Sequence, residues 1–546
     1  MLTRETIRIF LSGPFRIETA AGADITPKGA KNQALLALLA TSPDLFRNRR
    51  WLEDKLWSDR CADQASASLR QALSELRRAL GDAHLVLVAD RQKVGLKRAE
   101  VLVELSPAGE PEFLEGIDIR DPEFADWLRN ERHRQISLAP VPHDLFAAQG
   151  AGDAHRRALP PARRGERRAT VVVLQKSRMV ADGLALLEDL FIDGVALSLR
   201  EALGVTVYTR RQTPDLPGTI VVCVQAMAGA GGERLLRARA TEAETERLLW
   251  SGSSAGLGGF HGPDDLGLVQ FCNQVIEVLG DAISLRTEGG PTLDVQVLQR
   301  LAVRKLWTMV PERLAEAEVL LNLADGMVPC GLNAARRAQI RTLQMIERHR
   351  GDAQVLREEA VALTRIALER DPNNSMVLAV TAYVRCVTDP TPAYGAELAR
   401  RSVRLNPNNP LAWDSLSYAR LHAGQISEAH EIALRVQRIG AASPNKFWWD
   451  MGLCLTAAVT GNTRLALEMA ESSLAGAPDF RAALRHVVAL SAGADRPEAA
   501  VDAARNLQRL EEDFSIDALA HDPAYPVGVL RRSGILQSDR IMSIVG

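Results

Sequence analysis

Over the first hundred residues the spacing of apolar positions changes from one stretch to the next. IRIFL and FRIET, either side of Ser12-Gly13-Pro14, alternate with a period of two and predict two short strands. A helix is predicted at about 28–41 (KGAKNQALLALLAT), with Leu35, Leu36, Leu38 and Leu39 as its apolar face. RRWLEDKLWSD predicts a second, short helix with Trp51, Leu52, Leu56 and Trp57 inward. In a third, from about 64 to 80, Leu69, Leu73, Leu76 and Leu80 recur at helical spacing and make one buried stripe. LVLVAD and KVGLKR then flank the polar pair RQ and predict a hairpin.

Further along, residues 169–285 alternate β-like runs (TVVVLQ, VTVYTR, TIVVCVQ, ERLLRARA) with helical ones (ALLEDLFIDGVALSLREAL, DDLGLVQFCNQVIEVLGDAI), the pattern of an α/β domain. After about 292 the periodicity is almost wholly helical, and it repeats. DPNN, NPNN, SPNK and APDF place Pro372, Pro407, Pro444 and Pro478 at separations of 35, 37 and 34, each just past an amphipathic helix. A proline there blocks continuation and an asparagine caps the next helix. Trp413, Leu416, Gly424 and Ala429 mark the best unit, Gly452, Gly461 and Ala466 the next, and Tyr383 and Tyr418 match across one period. The period is that of tetratricopeptide (TPR) repeats, whose helix pairs stack to form a core and leave a curved groove for a peptide or protein.

Composition changes this picture little: 46% hydrophobic and 25% charged residues are ordinary globular values. The formal net charge of −2 means that any nucleic-acid surface is local. Residues 1–100 hold 17 Lys+Arg against 12 Asp+Glu, and residues 101–136 hold 4 against 9. A Pro/Ala/Gly/Arg-rich stretch at 137–168 has little periodicity and is expected to be a linker, its Arg doublets solvated. The six cysteines are scattered, without metal-ligand spacing, and fit a reducing compartment. The first residues lack the apolar run of a signal peptide, and no membrane span is expected, which points to the cytoplasm.

The candidate chemistry lies on the third helix. Opposite its leucine stripe stand Ala67, Gln71, Ser74, Glu75 and Arg78, flanked by Arg70 and Arg77. A major groove accepts one α-helix and is read by such side chains: Arg to guanine, Gln to adenine, Ser to either or to phosphate. Arg91 and Lys93 at the hairpin tip suit phosphate or minor-groove contact. An amphipathic helix with a solvated basic face is the bland alternative for the helix alone. The order strands, helix, helix, basic helix, hairpin favours DNA.

On KGAKNQALLALLAT, LEDKLWSD and above all QASASLRQALSELRRALGD, residues 7–98 resemble the OmpR-type winged helix, most closely that of the Streptomyces antibiotic regulatory proteins (SARP). FLEGIDIRDPEFADWLRNERHRQ, residues 113–135, resembles the start of the activation domain that follows in that family. The plan is also similar to that of the HilA type of virulence activator. LFIDGVALSLREALGVTVYTR, TIVVCVQAMAGAGGERLLRARA and RLLWSG weakly resemble the TolB-like module of bacterial regulators and cyclase-associated proteins. The resemblance implies that the 64–80 helix is the recognition helix, with base or phosphate roles for Arg70, Gln71, Ser74, Arg77 and Arg78. Glu75 departs from it, since the family often carries a base there; a glutamate can accept from cytosine N4.

Neither H-E-x-x-H nor Walker A occurs, and the glycines at 229–232 and 256–259 lack dinucleotide-fingerprint spacing. Asp450 with Trp448 and Trp449 is ascribed to helix packing. The expectation is therefore a multidomain α+β protein that is not an enzyme and needs no cofactor or metal. Its order is a winged helix at 1–100, the activation-like segment at 101–136, the linker at 137–168, a TolB-like α/β domain at 169–290, and an all-α TPR solenoid at 291–546 (core about 355–512). The expected function is a sequence-specific transcription regulator, an activator, that binds promoter DNA as a dimer. It would work with RNA polymerase and a groove-bound partner, and without a membrane. The rival is an adaptor or cyclase-associated accessory protein that ignores DNA.

Overall fold

The computed structural model describes residues 6–42, 45–105, 112–138, 171–176, 184–209, 218–228, 233–254, 257, 262, 264–285, 295–349, 351–389, 393–441 and 443–545. The linker expected at 137–168 lies outside them beyond residue 138, as do the glycines of the 229–232 and 256–259 runs. The chain is a multidomain α+β protein of two units, Met1–Leu145 and Phe146–Gly546.

In the first unit β1 (Ile7–Phe10) pairs antiparallel with β2 (Arg16–Thr19). Three helices follow: α1 (Ala30–Ala40), α2 (Arg49–Leu56) and α3 (Ala62–Leu80). A three-residue strand β3 (Phe46–Asn48) leads into α2, and Asn48 caps that helix by accepting from Arg50 N at 3.0 Å. β4 (Leu87–Ala89) and β5 (Lys93–Leu96) form the hairpin, and β3 pairs with β5. In α1 every residue from Ala34 to Ala40 is buried, so its apolar surface is wider than a single face.

Described residues between 101 and 128 belong to this same core. Val101–Glu104 is not helical: it is a strand, β6, lying parallel to β1. Only Pro122–Leu138 is a helix, α4. Phe113, Leu114, Ile119, Phe124 and Leu128 pack into one cluster with the leucines of α1, α2 and α3. Asp121, itself buried, accepts from both Ser58 N and Ser58 Oγ at 2.9 Å, tying the acidic segment to the end of α2.

The second unit opens with a five-stranded sheet. Its strands are β7 (Val171–Lys176), β8 (Thr206–Tyr208), β9 (Ile220–Ala228), β10 (Arg234–Glu242) and β11 (Leu248–Ser253), in the order β11-β10-β9-β7-β8. β7 is parallel to β8 and β9; the remaining pairs are antiparallel. Alternate residues of β9 (Ile220, Val222, Val224, Ala226) are buried, the signature of one covered face. The helices α5 (Ala185–Leu203) and α6 (Leu266–Leu285) supply the facing apolar side chains. Among the described residues only Leu266–Ile283 is long and apolar enough to cross a membrane. Here Leu268, Phe271, Cys272, Val275, Leu279 and Ile283 of that helix are buried in the sheet–helix core.

Helix pairs follow: α7 (Val295–Leu306) with α8 (Pro311–Met327), α9 (Gly331–Ile346) with α10 (Ala353–Arg370), α11 (Ser375–Thr388) with α12 (Ala393–Leu405), α13 (Pro410–His422) with α14 (Ile426–Ile439), α15 (Lys446–Val459) with α16 (Thr463–Gly476), and α17 (Arg481–Gly493) with α18 (Pro497–Leu510). Short helices α19 (Ile516–His521), α20 (Gly528–Arg532) and α21 (Ser538–Val545) end the unit. First helices start at 375, 410, 446 and 481, steps of 35, 36 and 35. They are sandwiched: Val377 to Val384 of α11 are all buried, whereas α14 buries only Ala429, Ala433, Val436 and Ile439. Asn374 and Asn409 cap their helices by accepting from Val377 N and Leu411 N, each at 3.1 Å. Gly424, Gly461 and Asp495 each stand two residues before a second helix with positive φ, +76°, +79° and +59°.

Early pairs also meet late ones. Trp307, just past α7, packs on Trp448 of α15 with ring centroids 5.2 Å apart, and Tyr383 of α11 packs on Trp448 at 5.4 Å. Glu347, next to α9, caps α17 by accepting from Arg481 N at 2.7 Å and Ala482 N at 3.1 Å. The α/β layer docks on the loops between pairs. Asn406 Nδ2 donates to Glu201 Oε2 (2.9 Å) and Ser198 Oγ (3.1 Å) on α5, and Asn273 Nδ2 of α6 donates to Asn408 O (2.9 Å). A Cβ on Gly194 would sit 2.4 Å from Asn408 Nδ2, so this approach requires glycine.

Candidate nucleic-acid interface

The geometry of α3 follows from its leucine stripe. Ala65, Leu69, Ala72, Leu73, Leu76 and Leu80 are buried, which fixes the rotation of the helix. The opposite side carries Ala67, Arg70, Gln71, Ser74, Arg77 and Arg78, all exposed. Two polar ties hold the helix in place: Ser66 Oγ donates to Glu53 Oε1 of α2 at 2.7 Å, and Asn32 Nδ2 of α1 donates to Glu75 Oε2 at 3.0 Å.

Glu75 is therefore not a free reader of cytosine. Its other oxygen accepts from Gln71 Nε2 at 3.0 Å. The hydrogen bonds from Asn32 and Gln71, with the nearby Arg78 charge, hold its carboxyl below the usual range. The negative charge is anchored at the edge of the basic face, and it orients Gln71.

Arg70, Arg77, Arg78, Arg91 and Lys93 form no ion pair among the described residues. Five bases elsewhere in the unit do find an acid: Arg8 with Glu104, Arg16 with Glu18 at 2.7 Å, Lys97 with Glu100 at 3.3 Å, Arg132 with Glu112 at 2.8 Å, and Lys55 with Glu123. Arg77 and Arg78 also lie in the last turn of α3, where a helix favours positive charge. That accounts for two of the arginines and leaves Arg70, Arg91 and Lys93.

The hairpin tip is built by Asp90, whose Oδ1 accepts from Gln92 N (2.6 Å) and Lys93 N (2.7 Å). These amides, Lys93 N first, hold its carboxyl low. Arg91 and Lys93 project from that turn, exposed. Arg49 N donates to Gln92 O at 2.8 Å, and Arg49 Nη1 to Asp90 O at 3.1 Å, so the first turn of α2 lies against the tip. Beside it Arg50 is exposed and unpaired. Helix-face reasoning did not single it out; its signal was the basic run before Trp51. No cluster of three or more potential metal-ligating side chains occurs among the described residues. No family model and no curated protein matches the chain.

Proposed function

We propose that the chain is a sequence-specific DNA-binding transcription regulator, with its first unit a winged helix-turn-helix of the OmpR/SARP type. In this reading α3 enters the major groove and the β4–β5 turn, the wing, rests on the backbone. The observation that carries it is the exposed face of α3: Arg70, Gln71, Ser74, Arg77 and Arg78 lie opposite a buried stripe, and the arginines have no acid partner. An unpaired guanidinium fork suits guanine or phosphate.

The helix pairs are read as degenerate TPR repeats, on their 35-residue steps and left-handed turn positions, and the sheet layer as a TolB-like module. Activation through RNA polymerase, and dimers on repeated half-sites, complete the proposal. A gel shift of the full chain on its own upstream DNA tests it. A specific complex is expected, weakened steeply between about 50 and 200 mM salt. A salt-insensitive band, or unchanged affinity of a variant combining Arg70→Ala, Arg77→Ala and Arg78→Ala, would sink it.

A further inference from the structure

Between the α/β layer and the helix pairs lies a cavity of about 100 Å³, lined by residues of α5, α6, α7 and α9 and by the loops that begin α11, α13 and α15. One water needs roughly 10–15 Å³ of such space, so several waters or a small organic molecule fit. Its wall contains Arg336 of α9, only 6% exposed. Among the described residues no carboxylate meets this guanidinium: Nη1 donates to the neutral Gln339 Oε1 at 2.7 Å, Nη2 touches Met376 Sδ at 3.3 Å, and Nε has no partner. Burial first, and then the neighbouring Arg300, lower its pKa to about 10, so it is still charged at neutral pH.

The nearby carboxylates are engaged elsewhere. Arg300 takes Glu277 and Asp281, each at 3.2 Å, and Arg304 takes Asp281 at 2.7 Å. Neither acid forms an ion pair with Arg336 among the described residues. Glu201, the other acid on the wall, is bound to Ser375 N at 3.1 Å, Ser375 Oγ and Asn406 Nδ2. Three more buried polar atoms of lining residues lack hydrogen-bond partners among the described residues: Arg300 Nε, Asn408 Oδ1 and Trp449 Nε1, whose edge faces Gly440. A buried charge without a counter-charge is strongly disfavoured, and buried N–H groups are almost always satisfied.

We propose that this cavity is a binding site for a small organic anion. Its carboxylate or phosphate group sits on Arg336, with the rings of Trp307 and Trp449 as apolar walls for the stem. Use of the site as the signal for DNA binding rests on the function proposed above; ligand binding itself does not, so a melting assay without DNA separates the two.

The test is thermal unfolding and calorimetric titration of the full chain with inorganic phosphate, with benzoate, and with benzamide as the uncharged counterpart of benzoate. At 10 mM, at least one anion is expected to raise the midpoint by about 2 °C or more, and benzamide to leave it unchanged. Arg336→Met should lose that shift and, without ligand, melt at or above the wild type. Arg336→Lys, which keeps the charge and loses the fork, should keep the fold and weaken binding of the active anion about tenfold. The proposal is overturned if neither anion shifts the midpoint, if Arg336→Met responds as the wild type does, or if Arg336→Met melts several degrees lower while Arg336→Lys binds unchanged.

Discussion

Asn32 on α1 donates to Glu75 on α3 at 3.0 Å, across 43 positions of sequence. That bond turns a charge that looks out of place on a basic helix into a fastener. Glu75→Ala should loosen α3 against α1, lower the melting midpoint of the first unit slightly, and free Gln71. DNA affinity at low salt should rise on the order of twofold, because one negative charge leaves the face. Paired melting and gel-shift curves check both, and weaker DNA binding at an unchanged midpoint would show that Glu75 reads a base.

The proposed roles of α3 and the hairpin predict different failures. Arg70→Ala or Gln71→Ala should cost about 1–3 kcal/mol at one base position and relax preference there. Arg91→Ala should weaken all sequences alike and reduce the salt slope by about 1. Competition binding with single-base operator variants separates the two. Loss of preference in Arg91→Ala would place the hairpin tip on bases.

Buried ionisable groups in the second unit give opposite pH signatures. His422, half-stacked on Tyr418 at 4.4 Å, is lowered from 6.5 to about 4 by burial and by Arg532. The unfolded state binds that proton first, so stability is lost as pH falls from about 6.5 towards 4. His422→Phe should match the wild type at pH 8 and exceed it by about 2 kcal/mol near pH 4.5. Asp414 is raised from 3.8 to about 7 by burial, although Trp448 Nε1 donates to it at 2.9 Å. Here the native state holds the proton, so stability falls as pH rises from about 4 to 7. Asp414→Asn should gain over the wild type at pH 8 and not at pH 4. Calorimetry across that range checks both, and a pH-independent difference in either variant refutes the assignment.

Asp495 occupies the left-handed turn position that Gly424 and Gly461 fill in the two preceding pairs. Its ion pair with Arg540 is exposed and contributes little. Asp495→Gly should therefore stabilise by about 0.5–1 kcal/mol, and Gly424→Ala should cost about 1–2 kcal/mol through backbone strain alone, since no atom lies within 4 Å of the added Cβ. Denaturant unfolding measures both, and equal effects at the two sites would contradict the equivalence.

Much of this architecture was legible because its signals are local. The leucine stripe of α3 set which side chains are exposed, and the run ALLEDLFIDGVALSLREAL is α5 from end to end. The prolines at steps near 35 marked where each first helix begins. What the chain did not disclose depends on distant partners. VLVE is a strand because β1, some ninety residues earlier, offers an open edge. The meeting of early and late pairs depends on Trp307 touching Trp448, and nothing near either tryptophan announces that contact. Arg336 sits in an amphipathic helix where an arginine is ordinarily solvated; it is buried through distant residues such as Met376 of α11. The acidic segment was legible as different in charge, yet Asp121 and Phe124 make it part of the first core.

The Asn406–Asn409 loop both divides two helix pairs and grips α5 and α6. Arrays of this kind ordinarily tolerate gain or loss of a whole unit, because each unit touches only its neighbours. Here one additional unit ahead of Asn406 would carry the gripping loop off Ser198 and Glu201, and would part Glu347 from Arg481. The helix pairs are thus counted out by the layer they hold.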